Sequence, residues 1–322
     1  MKIQPFILCC PAKPVAPNDQ LIEAFTRSLM TIQTSLQAAD FALLLAPEFF
    51  LSEFNKDRGK HAPARDGFPE KIDALCKEYS RKVKNLVIIP GTRLVEAPMN
   101  TVFNRAALWS LGAEMGTAYK KFAPKNELAT LPRMVNGADW PPGDEAFLGR
   151  NVEELRTNAL QNAQTYVGQL DIFTLFSARV GVEICNDIGF MKGILEGANV
   201  PRAKWPDVFV MPSGGMTLGN AYLTNQKQYV SIRAEPLKGW FGAGPTIKPG
   251  ADNMLGDMAV RPGGLVLQCD GPASICGVLD STATSFTMHK PASVVNFGKE
   301  SSSSAYAQQP LALHVFNAIT LG

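Results

Sequence analysis

Three residues with chemical potential stand at the ends of strand-like runs. Glu48 follows the apolar run "FALLLA" (41–46) and Pro47. Cys185 follows "VGVEI" (180–184), and Lys120 and Lys121 close the run "TAYKK". A carboxylate, a thiol and an ammonium form a sufficient set for acyl transfer. The thiol attacks an acyl carbon, the carboxylate moves protons, and the ammonium supports the developing oxyanion. A thiol attacks only as its thiolate, and a neighbouring ammonium favours that form. Cysteine is also among the most buried residue types and often does nothing but pack. What separates the two readings is position: α/β sites lie beyond the carboxyl ends of strands, where all three groups fall.

The elements that must position these groups alternate along the chain. "IQPFILC" reads as a first buried strand. Apolar residues at helical spacing over Leu21–Leu36, preceded by Asn18 and Asp19 as caps, predict a helix, and Ile72–Val83 predicts a second. "FALLLA" and "LVIIPG" (86–91) read as strands buried on both faces. "TVFNRAALWS" and "EMGTAYK" form a hairpin about Leu111-Gly112; "LDIFTLF" and "ARVGVEIC" form another about Ser177; "GGLVLQCD" and "ASICGVLD" form a third about Asp270-Gly271. "DVFVMPSGG" (207–215) is a further buried strand. Residues 121–150 read as loop, 151–164 and Tyr222–Ala234 as helix, and the serine-rich 301–305 as loop or mobile tail. Strand–helix alternation mixed with hairpins predicts one α/β domain in the form of an open sandwich.

Composition narrows the function classes. In 322 residues there are 31 basic and 29 acidic side chains. That balance gives no electrostatic reason to expect nucleic acid or an anionic membrane as partner. No apolar run reaches the roughly 18 residues of a bilayer span. The apolar patch after Lys2 is interrupted by Pro5 and too short for a signal-peptide core, so a cytoplasmic protein is expected. The six cysteines are scattered, no C-x-x-C is present, and only His61, His289 and His314 are available as imidazoles. A disulfide framework, a zinc site and a cofactor are not expected. The three histidines lie in polar loop or tail contexts, which disfavours a Cys–His pair.

The ordered set "LLLAPEFF", "AYKKF" and "GVEICND" resembles the nitrilase superfamily of carbon–nitrogen hydrolases. Its signatures are an apolar strand followed by Pro-Glu, a Tyr-x-Lys closing a hairpin, and a Gly-Val-x-Ile-Cys-x-Asp strand. "DVFVMPSGG" resembles the strand that follows, and "SIRAEP" a later helix. The resemblance covers most of residues 1–285. It implies a four-layer α-β-β-α sandwich, with residues 286–322 as a C-terminal extension that is either a mobile tail or a dimer contact. It also implies a catalytic triad of Glu48, Lys121 and Cys185, with Lys120 as the competing lysine. Glu127, or failing it Glu145, would be a second site glutamate. The backbone N–H of Asn186 would serve the oxyanion. Asp187 is expected to support the turn after Cys185 or to cap the following helix, and Glu183 to share a strand face with Cys185 without a catalytic role.

By the same resemblance the protein is expected to hydrolyse a small-molecule amide or carbamoyl compound without a cofactor and to form a homodimer. Lys121 and Cys185 are 64 positions apart, more than in compact members of that family. The surplus, an insertion around 130–165, is a lid or specificity wall carrying Trp140 as a substrate contact, or else a surface elaboration. Cys-Asn-Asp resembles the amidase and carbamoylase branches, whereas nitrilases tend to carry Cys-Trp-Glu. The arginines that continue the carbamoylase pattern are missing. Nitrile hydrolysis, transfer of the acyl group to an amine, and a catalytically silent scaffold are the alternative functions.

Overall fold

A computed structural model describes residues 1–10, 18–55, 60–64, 66–97, 101–122, 133–134, 152–214, 220–223, 228–231, 246–247, 254–270, 274–297 and 311–322. Two sheets dominate, and each has three parallel strands at its centre. In the first these are Lys2–Cys9, Phe41–Leu45 and Leu86–Ile89. In the second they are Ala178–Val182, Val208–Ser213 and Leu265–Asp270. Antiparallel hairpins extend both sheets outward: Thr101–Ser110 with Ala113–Tyr119 in the first, and Leu265–Asp270 with Ser274–Leu279 in the second.

Side-chain alternation explains the layering. Along Phe41–Leu45, Phe41, Leu43 and Leu45 face the second sheet, while Ala42 and Leu44 face helices Asn18–Ser35 and Phe68–Lys82. Val208 and Val210 meet the first sheet; Phe209 and Met211 meet the helix Phe190–Gly197 and its neighbours. Three apolar cores therefore separate four layers in the order helices, sheet, sheet, helices. Central strands are buried on both sides, hence their continuous apolar runs. The helices bury one stripe each; in the first it is Leu21, Ala24, Phe25, Ser28, Leu29 and Ile32. Each large side chain so buried contributes about 1.5–3 kcal/mol.

Turn chemistry sets the hairpins. Leu111 and Gly112 both have positive φ, as do Phe176 and Ser177, the geometry that lets two residues reverse a twisted ribbon. The expected helix over Tyr222–Ala234 is corrected. Asn220–Leu223 and Gln228–Ser231 pair antiparallel, with Tyr222 opposite Tyr229, and aromatic and β-branched residues favour that extended pairing. Val152–Gln161 and Ala163–Tyr166 are helical, as the composition of 151–164 suggests. Residues 312–315 and 319–320 pair with Lys2–Cys9, so the end of the chain is woven into the first sheet. Among the described residues, no helix is long and apolar enough to cross a membrane.

Candidate active site

Glu48 lies three residues beyond the strand Phe41–Leu45, and its backbone N–H donates to Ser213 O at 3.3 Å. That bond ties the end of a first-sheet strand to the end of the second-sheet strand next to the one that leads to Cys185. The chain turns sharply here. Phe49 has φ 61°, and its N–H donates to Thr92 Oγ1 at 2.9 Å. Gly91 lies behind this turn with φ 79°. A Cβ there would come 2.1 Å from Pro47 O, so only glycine allows the close approach.

The carboxylate of Glu48 is buried, and its two oxygens differ. Oε1 accepts from Lys120 Nζ at 2.7 Å and from Asn104 Nδ2 at 2.9 Å. Oε2 has no hydrogen-bond partner among the described residues. Gly214 packs beside it: a Cβ at that position would lie 3.5 Å from Oε2 and 3.3 Å from the Phe49 ring. A buried carboxylate with one oxygen anchored and the other unpartnered is suited to accept a proton from a directed donor.

The lysine that pairs with Glu48 is Lys120, whereas the resemblance implies Lys121 as the catalytic lysine. Sheet alternation is the cause. Ala118 faces the inter-sheet core, so Lys120, two residues on, points the same way. Lys121 turns to the other side, where its Nζ pairs with Asp171 and donates to Tyr119 O at 3.2 Å. Burial disfavours the Lys121 ammonium, but the Asp171 and Asp187 carboxylates outweigh this and raise its pKa. Asn104 obeys the same alternation, sharing the inner face with Ala106 and Leu108. It was legible as a polar residue on an apolar strand face, yet no motif marks it.

Cys185 opens a short 3-10 turn, Cys185–Asp187, after the strand Ala178–Val182. Its φ is 48°, in the left-handed region that non-glycine residues rarely enter. Strain of this kind is characteristic of sites where a side chain must be presented. None of the six cysteines is in a disulfide, and five are buried; Cys185 is the one partly open to solvent. It packs against the inter-sheet core.

Asp187 joins this turn to the lysine segment. Its Oδ2 accepts from Lys121 N and its Oδ1 from Phe122 N, both at 2.8 Å. Asn186 Nδ2 donates to Phe122 O at 3.2 Å, so this side chain secures the same segment. Phe122 is fully buried, edge-on to Phe190 at 4.9 Å. The Asp187 carboxyl is raised to about 6, chiefly by burial, against the pull of Lys121. The Asp187 carboxylate therefore holds the segment at Lys121 and Phe122 and does not cap the following helix.

Glu183 does not share a face with Cys185. The alternation runs on through Ile184, which joins Val180 and Val182 in the inter-sheet core, and breaks at Cys185, where φ turns positive. Glu183 lies on the opposite face, where it accepts from the backbone N–H groups of Gly189 and Met191 at the start of the helix Phe190–Gly197. Burial is the main reason its pKa is raised to about 8. His61 is not a solvated loop residue: it is buried and stacks on Phe49 at 4.1 Å. Glu127, Glu145 and Trp140 lie outside the described residues.

No protein-family model and no curated protein matches the chain. Among solved structures there is similarity. The chain is similar to carbon–nitrogen hydrolases of the nitrilase superfamily. Nit3 of Saccharomyces cerevisiae, described as a member of branch 10 of that superfamily, aligns at 13% identity and TM-score 0.48, over 98% of this chain and 89% of its own. An amidase from Nesterenkonia sp. AN1, in a mutant form carrying acrylamide added at the active-site cysteine, aligns at 12% identity and TM-score 0.46, over 100% of this chain and 93% of its own. A carbon–nitrogen hydrolase from Helicobacter pylori aligns at 15% identity and TM-score 0.40, over 66% of this chain and 60% of its own. At such identities the likeness concerns the fold, and the chemistry of the site rests on this chain's own residues.

Proposed function

We propose that the protein is a thiol-dependent hydrolase of a non-peptide C–N bond in a small amide or carbamoyl compound, with Cys185 as nucleophile. The observation that carries the reading is the state of Glu48: one oxygen held by Lys120 and Asn104, the other buried and without a hydrogen-bond partner among the described residues. In this reading Glu48 Oε2 takes the thiol proton while sulfur attacks the carbonyl carbon. The carbonyl electrons move to oxygen, where Lys120 and the backbone N–H of Asn186 stabilise the oxyanion. Collapse breaks the C–N bond, and Glu48 returns its proton to the departing amine, ammonia if the amide is primary. A thioester remains on Cys185. Water, deprotonated by Glu48, attacks it, and collapse releases the acid and the thiol.

Cys-Asn-Asp favours an amide over a nitrile by the family resemblance. The experiment measures ammonia release from panels of primary amides, carbamoyl compounds and nitriles, with intact-mass detection of an acyl group on Cys185. Turnover of amides with a transient adduct supports the reading. Turnover of nitriles alone, or ammonia release by Cys185→Ala on the best substrate, overturns it. If no panel turns over and iodoacetamide modifies Cys185 no faster than the other thiols, a binding role replaces the enzymatic one.

A further inference from the structure

A second group of thiols faces itself across the two sheets and does not enter the reading above. Cys9 ends the strand Lys2–Cys9 of the first sheet, and His314 lies on the antiparallel strand beside it. Cys269 lies on the strand Leu265–Asp270 of the second sheet, directly opposite Ser274 in its hairpin. The inter-sheet core brings the pairs together. His314 Nδ1 is 3.6 Å from Cys9 Sγ and 2.7 Å from Ser274 Oγ. The Cys269 thiol donates to Leu8 O at 3.2 Å, and Cys9 and Cys269 pack in the same inter-sheet core. The thiols are buried, while His314 and Ser274, which adjoin them, are partly exposed. Among the described residues no group of histidines, cysteines and carboxylates is arranged to hold a metal ion.

We infer that Cys9 and Cys269 form an oxidative modification site, in which Cys9 reacts with a small peroxide and Cys269 resolves the product to an inter-sheet disulfide. The Cys9 sulfur attacks a peroxide oxygen and the O–O bond breaks. The departing hydroxide takes a proton from His314 and leaves as water, and Cys9 becomes a sulfenic acid. The Cys269 sulfur then attacks Cys9 sulfur, the S–O bond breaks, and a second water leaves with the thiol proton. Two thiols and one hydrogen peroxide give one disulfide and two waters. The electrostatics agree with this order. Burial would push the Cys9 thiol up, but its neighbour Cys269 and the charge on His314 outweigh it and bring it down to about 6. Burial keeps Cys269 well above the ordinary thiol value, as it does Cys76 and Cys276. Cys9 is therefore the attacking sulfur.

The test uses the full chain as Cys185→Ala, so that the partly exposed thiol does not compete. The protein is treated with hydrogen peroxide, denatured, alkylated with N-ethylmaleimide and mapped by mass spectrometry. The expected product has lost two hydrogens and links Cys9 to Cys269, with fragmentation assigning the bond to Cys9 and not to Cys10. Full alkylation of both cysteines, or a bond between other pairs, overturns the inference. Adding Cys269→Ser should leave a Cys9 sulfenic acid that dimedone traps; absence of that adduct removes Cys9 as the reacting thiol. His314→Gln, checked by its melting curve, should slow disulfide formation roughly tenfold. An unchanged rate overturns the role given to the imidazole.

Discussion

Lys120 Nζ lies 2.7 Å from Glu48 Oε1, with both side chains wholly shielded from water. A buried pair of this kind adds little net stability over an apolar replacement, but removing one partner strands the other charge. Lys120→Ala is therefore expected to cost about 3–5 kcal/mol of stability. It should also lower amide turnover at least roughly 10²-fold, the effect of deleting one oxyanion donor. Lys121→Met removes the contacts with Asp171 and Tyr119 O but none with Glu48, and should keep turnover within roughly tenfold of the wild type. Ammonia release and thermal melts on the two variants measure the difference; the reverse ranking would return the catalytic role to Lys121.

Gly214 tests whether Oε2 of Glu48 is the working oxygen. The methyl of Gly214→Ala would sit 3.5 Å from Oε2 and 3.3 Å from the Phe49 ring, which must give way by a few tenths of an ångström. It would occupy space beside the atom that receives the thiol proton. Turnover should fall by about 10–10²-fold with the melting temperature nearly unchanged. Equal turnover would move the proton transfer elsewhere.

Asp187 is a positioning residue, acting through the backbone of Lys121 and Phe122. Asp187→Asn keeps one acceptor and turns the other into a donor against an N–H. The lysine segment should then shift and kcat drop about 10²-fold, more than KM changes. The wild-type carboxyl, raised to about 6, gains a proton below that pH and loses one acceptor in the same way. An acidic limb near pH 6 in the wild-type turnover profile, absent from Asp187→Asn, distinguishes this role from a merely structural one.

Much of this arrangement is legible in the chain. Continuous apolar runs such as "FALLL" and "VFVM" can only be strands covered on both faces, and the chemistry sits where they end. Non-local pairings are harder to read. Choosing between Lys120 and Lys121 needed the face of Ala118, which is set by the opposing sheet and not by distance from Tyr119. Asn104 reaches Glu48 across 56 positions, and Asp187 reaches Phe122 across 65; neither leaves a periodic trace. Helix-permissive residues 222–223 and 228–231 yielded to strand pairing, because propensity is weak beside context.

Glu183 gives the clearest dependence of stability on pH. Its carboxyl sits near pH 8 in the folded protein because burial penalises the charge, with Asp187 adding to the rise and Lys121 opposing it. The ordinary value is 4.5. The folded state holds this proton more tightly than the unfolded chain does, so its contribution is complete below about pH 4.5 and is lost as pH climbs through 8. Asp187 acts with the same sign over the lower part of that range. The melting temperature should fall by several degrees between about pH 5 and pH 9, apart from the general acid-side losses of surface carboxylates. Glu183→Gln stays neutral throughout and keeps an acceptor for the helix start, so its curve should be flatter. It should be the more stable protein at about pH 9 and the equal or weaker one at about pH 5. Parallel curves for the two proteins would show that Glu183 is charged in the fold across the whole range, held so by the N–H groups of Gly189 and Met191.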